Sequence, residues 1–171
     1  MSKEIVARLG ETDQLYLQEN SAELALERGA LRLSLVHLSK NKQEQLYFLH
    51  EAIAILEQAR LEFEEITPAM YMEFSLKLAQ AYMVYFELTQ ETKFALITQQ
   101  ILKPLAHLNQ SQVFFFLAYA CACKQENALL RHWLNKYART KDFQTDQIKH
   151  HHAFEHLHHE AWFQQLIKKP D

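Results

Sequence analysis

Residues 111–123 read SQVFFFLAYACAC and residues 127–138 read NALLRHWLNKYA. The first run has no charge, no glycine and no proline, and its aromatics go all the way round a helix. A helix that is apolar on every side has to be enclosed by neighbours. The polar break Lys124-Gln125-Glu126 turns the chain into a second helix, so the pair reads as a hairpin. The rest of the chain must then supply the helices that cover it.

The composition agrees with that demand. Two glycines and three prolines occur in 171 residues, and Leu, Ala, Glu, Gln and Lys, all good helix formers, fill most positions. No Asn-Gly or Asp-Gly hairpin signal appears. The expected fold class is all-α, in a single domain over residues 1–171. Eighteen basic residues stand against 21 acidic ones, a net charge of −3. That balance gives no basic footprint for nucleic acid. The N-terminal residues lack the apolar core of a secretion signal, and no window reaches the roughly 18 apolar residues of a membrane span. Cys121 and Cys123 stand two apart on one predicted helix and point in different directions, which argues against a disulfide between them. A reducing, cytoplasmic setting is expected.

Periodicity and capping residues place the other helices. Ser2 caps a short helix that Gly10 stops, and a second piece starts near Asp13, forming an N-terminal extension over residues 1–20. Ser21 opens a helix to about Ser39. After Lys40-Asn41-Lys42 another runs from about Gln43 to Glu64. Thr67-Pro68 is a cap followed by proline at the first helical position, and its helix reaches about Leu88. The next spans about Glu91 to Leu108, with Pro104 bending it or ending its first segment near Leu102. Ser111 caps the apolar helix. Residues 145–171 form short closing helices held by Phe154, Leu157, Trp162, Phe163 and Leu166. Short turns between successive helices make them antiparallel neighbours, which either an up-and-down bundle or a stacked solenoid satisfies.

A large residue followed by a small one recurs on alternate helices, as Leu117-Ala118 with Cys121, Leu78-Ala79 with Tyr82, and Arg28-Gly29. Small residues also mark the helices that follow: Ala52 with Leu56 and Ala59, then Ala95, then Ala128 and Ala138. Such steps let two helices approach closely. In these positions, and in its Phe154-x-x-Leu157 ending, the chain resembles bacterial tetratricopeptide-repeat proteins. The likeness is good over residues 70–168 and poor over residues 20–66, where the Gly29-to-Ala52 spacing is overlong. The resemblance implies a TPR-like α-solenoid of about three repeats, of roughly 34 residues each, plus capping helices. It also implies a non-enzymatic scaffold or adaptor that binds a protein or peptide partner, or a second copy of itself. Carried over residue by residue, the groove gathers Glu73, Leu76, Gln80, Met83, Gln112, Phe115 and Tyr119, and less surely Leu26 and Leu33. Aromatics and Met beside Gln suit a peptide or helix. The alternative is that Phe115 and Tyr119 are covered by the N-terminal helices or by a second copy.

Six histidines lie between His150 and His159. If the segment were an α-helix, His152, His156 and His159 would fall about 160°, 200° and 140° from Phe154, on one outward face. Two or three imidazoles there could reach one metal ion, with Glu155 or Glu160 adding an oxygen. The blander reading is a solvated face, since structural zinc usually takes four ligands in a closed site. A metal- or ligand-binding helical protein is therefore the alternative function, and a partner-specific helical inhibitor or chaperone a third. No catalytic grouping is evident. Glu57 and the Glu64-Glu65 pair read as solvent-facing carboxylates, neither cysteine sits in a nucleophile motif, and two isolated glycines make no phosphate loop. No cofactor is expected.

Overall fold

The structure, a computed structural model, describes residues 2–63 and 66–168. Among these residues it is all-helical, without strands. The carboxylates Glu64 and Glu65 lie outside the described residues. The helices form two compact units, residues 1–90 and 91–171.

The first unit contains α1 (Ser2–Gln18), α2 (Ala22–Leu38), α3 (Lys42–Glu62) and α4 (Pro68–Thr89). Ser21 and Thr67 start their helices as anticipated and Asn41 adds a third cap, whereas Ser2, expected to cap α1, is its first residue. Ser21, Asn41 and Thr67 accept hydrogen bonds from the backbone N–H groups of Leu24, Glu44 and Met70, satisfying donors that a helix start leaves open. Gly10, expected to stop the first helix, lies inside α1 instead. A mid-helix glycine costs only about 1 kcal/mol, and contacts made by its neighbours outweigh that. Arg8 pairs with Glu27 at 2.6 Å. Asp13 takes Arg28 at 2.9 Å and Arg32 at 3.0 Å. Arg32 is buried and also donates to Glu51 of α3 at 2.8 Å, so one guanidinium ties three helices together. Burial alone would raise the Asp13 carboxyl, but the two guanidiniums hold it below its ordinary range.

The α2–α3 hairpin closes around Gly29. A Cβ built there would lie 2.7 Å from Leu56, which is fully buried. The small residue is what lets the helices approach. Leu33, Val36, Leu49, Ala52 and Ala81 continue the core, with Phe48, Ile53, Val84, Tyr85 and Leu88 packed against it. α4 touches both α2 and α3. The Tyr82 hydroxyl donates to Glu57 of α3 at 3.0 Å, and burial, then this carboxylate, pushes the phenol up to about 12.

The second unit is built on α6 (Ser111–Cys123). It packs against α5 (Lys93–Leu102), α7 (Asn127–Ala138) and two 3-10 segments, Lys103–Leu108 and His152–Leu157. Nine of its residues are buried, as its all-round apolar surface demands. Pro104 falls in the 3-10 segment after α5, where it ends the α-helix near Leu102 as anticipated. Ser111 is the first residue of α6 rather than its cap, and the preceding Gln110 makes no side-chain cap bond. After α6, Gln125 adopts φ 59°. The Glu126 N–H then reaches the Cys121 carbonyl at 2.9 Å and the Gln125 N–H reaches Ala122, the 6→1 and 5→2 bonds of a Schellman ending with glutamine in place of glycine. Ala128 is exposed, and Leu130, Leu134 and Tyr137 are the residues that α7 buries. The closing helices are α8 (Thr145–Lys149) and α9 (Ala161–Ile167). Ile148, Phe154, Leu157, Phe163 and Leu166 are buried, and Tyr137 donates to Gln147.

Candidate functional site

Four of the residues assigned to the groove lie on α4, in the first unit. Glu73, Leu76, Gln80 and Met83 recur at steps of three and four, which puts them along one side of the helix. Glu73 is exposed and Leu76 and Gln80 are half-buried, but Met83 is 1% exposed and belongs to the interior. Of the α2 residues, Leu26 is half-buried and Leu33 is buried. The surface this helix offers is therefore Glu73, Leu76 and Gln80.

In the second unit Gln112 is half-buried, whereas Phe115 and Tyr119 are buried at 5% and 7% exposure. Their cover is the chain's own C-terminal segment. Phe115 meets the rings of Tyr137, His151 and Phe154 with centroids 5.5–6.1 Å away. Tyr119 meets His151 edge-on at 4.5 Å and His152 at 6.0 Å. Such edge-to-face pairs are favourable beyond the area they bury. The two aromatics expected to line an open concave surface are thus packed under the segment that follows α8. Phe154 is the inward residue the pattern marked. What sequence alone did not reveal is that Phe154 would land on Phe115.

The histidines are also arranged differently from the expectation. His152–Leu157 is a 3-10 helix, His158 caps it, and α9 begins only at Ala161. A 3-10 turn advances about 120° per residue, and the chain bends before His159, so His152, His156 and His159 do not share one helix face. Among the described residues no group of three or more His, Cys, Asp or Glu side chains is placed to hold a metal ion. The three-histidine site is not formed. His151 has a structural part instead: its Nδ1 accepts the Ala153 N–H at 3.2 Å, capping the 3-10 turn.

A buried polar cluster that the sequence reading missed lies between α5 and α6. Gln99 is 1% exposed and donates to Glu126 at 2.8 Å and to Cys121 Sγ at 3.2 Å, while Lys124 Nζ donates to its Oε1 at 2.9 Å. Burial, foremost, pushes the Cys121 thiol up, so the sulfur stays protonated at neutral pH and is a poor nucleophile. The hydrogen bond from Gln99, then Lys124, holds Glu126 below the ordinary carboxylate range. The cluster satisfies its own polar atoms and reads as an internal brace. A glutamine within the apolar spacing Phe94, Ile97, Ile101 was the one sign of it.

No protein-family model, curated protein or solved structure matches this chain. Among the described residues no helix is long and apolar enough to cross a membrane.

Proposed function

We propose that the chain is a non-enzymatic, tetratricopeptide-like helical protein that binds a protein or peptide partner, or a second copy of itself, along its α4 face. The observation that carries the reading is that α4 packs against both helices of the α2–α3 hairpin. Successive hairpins of a stacked array lie this way, with one first helix beside the next. Gly29, where only the missing Cβ leaves room for Leu56 of α3, supports the same reading. In such an array the face shared by first helices is the binding surface, and on α4 it carries Glu73, Leu76 and Gln80. An apolar side chain between an amide and a carboxylate suits an amphipathic segment with a basic residue beside its apolar one. Because Cys121 and Cys123 stand two apart on α6, where they cannot pair with each other, we infer a reducing, cytoplasmic setting.

Photo-crosslinking tests the proposal. A photoreactive residue at Leu76 or Gln80 should give a discrete adduct in cells, and one at the exposed Gln58 of α3 should not. Equal labelling from all three positions, or none from the α4 pair, would remove the binding face.

A further inference from the structure

A cleft of about 550 Å³ opens at the N-terminal end of α6, beside the C-terminal end of α7. Its lining includes Gln110, Ser111, Lys136, Arg139, Lys141 and Asp142. Three cations and one carboxylate give that lining a charge of +2, on a chain whose net charge is −3. Among the described residues none of the three cations forms an ion pair. Lys136 Nζ is held 5.9 Å from the centre of the Phe114 ring, which also lines the cleft.

Two further features turn donors toward the space. Gln110 places no side chain over the start of the 13-residue α6, and Val113 and Phe114 are the amides that bond the Gln110 carbonyl. The Ser111 and Gln112 N–H groups remain as the open donors of a helix start, where the dipole favours negative charge. Ser111 itself is 93% buried, since 7% of it is exposed, and it lines the cleft. Its hydroxyl makes no hydrogen bond among the described residues, yet it is not sealed from the cleft. A hydroxyl without a protein partner, on a residue 93% buried at the mouth of a cationic cleft, is a donor open to an acceptor in that cleft. Two carbonyls at the end of α7, those of Lys136 and Tyr137, are engaged by the N–H and hydroxyl of Thr140 and the N–H of Arg139.

We propose that this cleft binds a phosphate dianion, free or carried as a monoester on a small molecule. The Ser111 hydroxyl and the Ser111 and Gln112 amides take its oxygens, and Lys136, Arg139 and Lys141 balance its charge. A phosphate monoester carries about −1.5 to −2 at neutral pH, which matches the +2 of the lining. Arg139 has the planar fork that grips two phosphate oxygens at once. The volume exceeds what a bare phosphate fills and falls in the range of small-molecule sites. This inference stands on the second unit alone and does not depend on the partner reading.

The test is a ¹H–¹⁵N amide titration of the full chain at constant ionic strength. Inorganic phosphate and glycerol phosphate are the probes, and sodium chloride is the reference. Saturable shifts centred on Ser111 and Gln112 are expected. Arg139→Gln, Lys141→Gln and Ser111→Ala should each weaken binding about tenfold, from the loss of one hydrogen bond to a charged group. Circular dichroism of each variant should be unchanged. Tighter binding of the monoester identifies a small phosphorylated molecule as the ligand, and equal binding identifies free phosphate. Shifts that follow ionic strength alone, or affinities untouched by Arg139→Gln and Lys141→Gln, overturn the proposal.

Discussion

Replacing Gly29 with alanine separates tertiary packing from helix propensity at one position. In a helix judged alone, the change should stabilise by about 1 kcal/mol. In this protein the new Cβ would sit 2.7 Å from both Cγ and Cδ2 of Leu56 and 3.1 Å from Cδ1. Cγ is not a free end that swings away, and Leu56 is 0% exposed with Ala52 and Ala59 buried beside it. Overpacking of this kind costs about 1–3 kcal/mol, so once the propensity gain is offset the net effect should lie between neutral and a destabilisation of about 2 kcal/mol. Gly10 is the control. Nothing lies within 4 Å of its added Cβ, so Gly10→Ala should stabilise by up to about 1 kcal/mol. Leu56→Ala alone should cost about 2–5 kcal/mol from its cavity, and the Gly29→Ala Cβ would enter part of that space. The double variant should therefore be about 1–2 kcal/mol less damaged than the sum of the singles. Urea unfolding followed by circular dichroism gives all four numbers. If Gly29→Ala stabilises as much as Gly10→Ala, or the pair is additive, the close approach of α2 and α3 is wrong.

Other expectations follow from the polar contacts. Asp13→Asn should cost about 1–2 kcal/mol at neutral pH, discounted because its side chain is 35% exposed. Since the folded Asp13 carboxyl lies below its ordinary 3.8, its contribution is full above that value and is lost as pH falls through the lower folded one. The gap between wild type and variant should thus stay constant from neutral pH to about 4 and close in stronger acid; a gap that widens there refutes the pairing. Gln125→Gly should stabilise by roughly 0.5–1 kcal/mol in thermal melts, because the left-handed backbone at φ 59° strains any residue with a Cβ. Iodoacetamide should label Cys123 in the native protein and Cys121 only after unfolding, read by peptide mass spectrometry; equal rates would contradict the burial of Cys121.

Local signals carried much of this fold. Thr67-Pro68 starts α4, Pro104 ends α5, and the apolar run from Val113 to Cys121 is buried except for the half-buried Phe116, because caps, ring closure and all-round hydrophobicity act within a few residues. The signals failed where a distant contact competed with them. Gly10 would have ended α1, but Arg8 and Asp13 on either side are engaged by Glu27, Arg28 and Arg32. The histidine segment would have been an α-helix with one imidazole face, but its backbone turns as a 3-10 helix with Phe154 and His151 set against Phe115. The buried Gln99 left almost no trace, since a glutamine on a helix is ordinary until its neighbours are known.

The amino-acid sequence on its own determined that the chain is helical and where most helices start, since capping and periodicity are properties of adjacent residues. It also required α6 to be enclosed, because an uncharged helix apolar on every side has no face to give to water. Only the tertiary structure decided what covers Phe115 and Tyr119: His151 and Phe154, residues further along the chain. The same step joined Ser111 to the cations of α7 and the loop beyond it. Pairings across long separations depend on which surfaces fit, and no local preference encodes that.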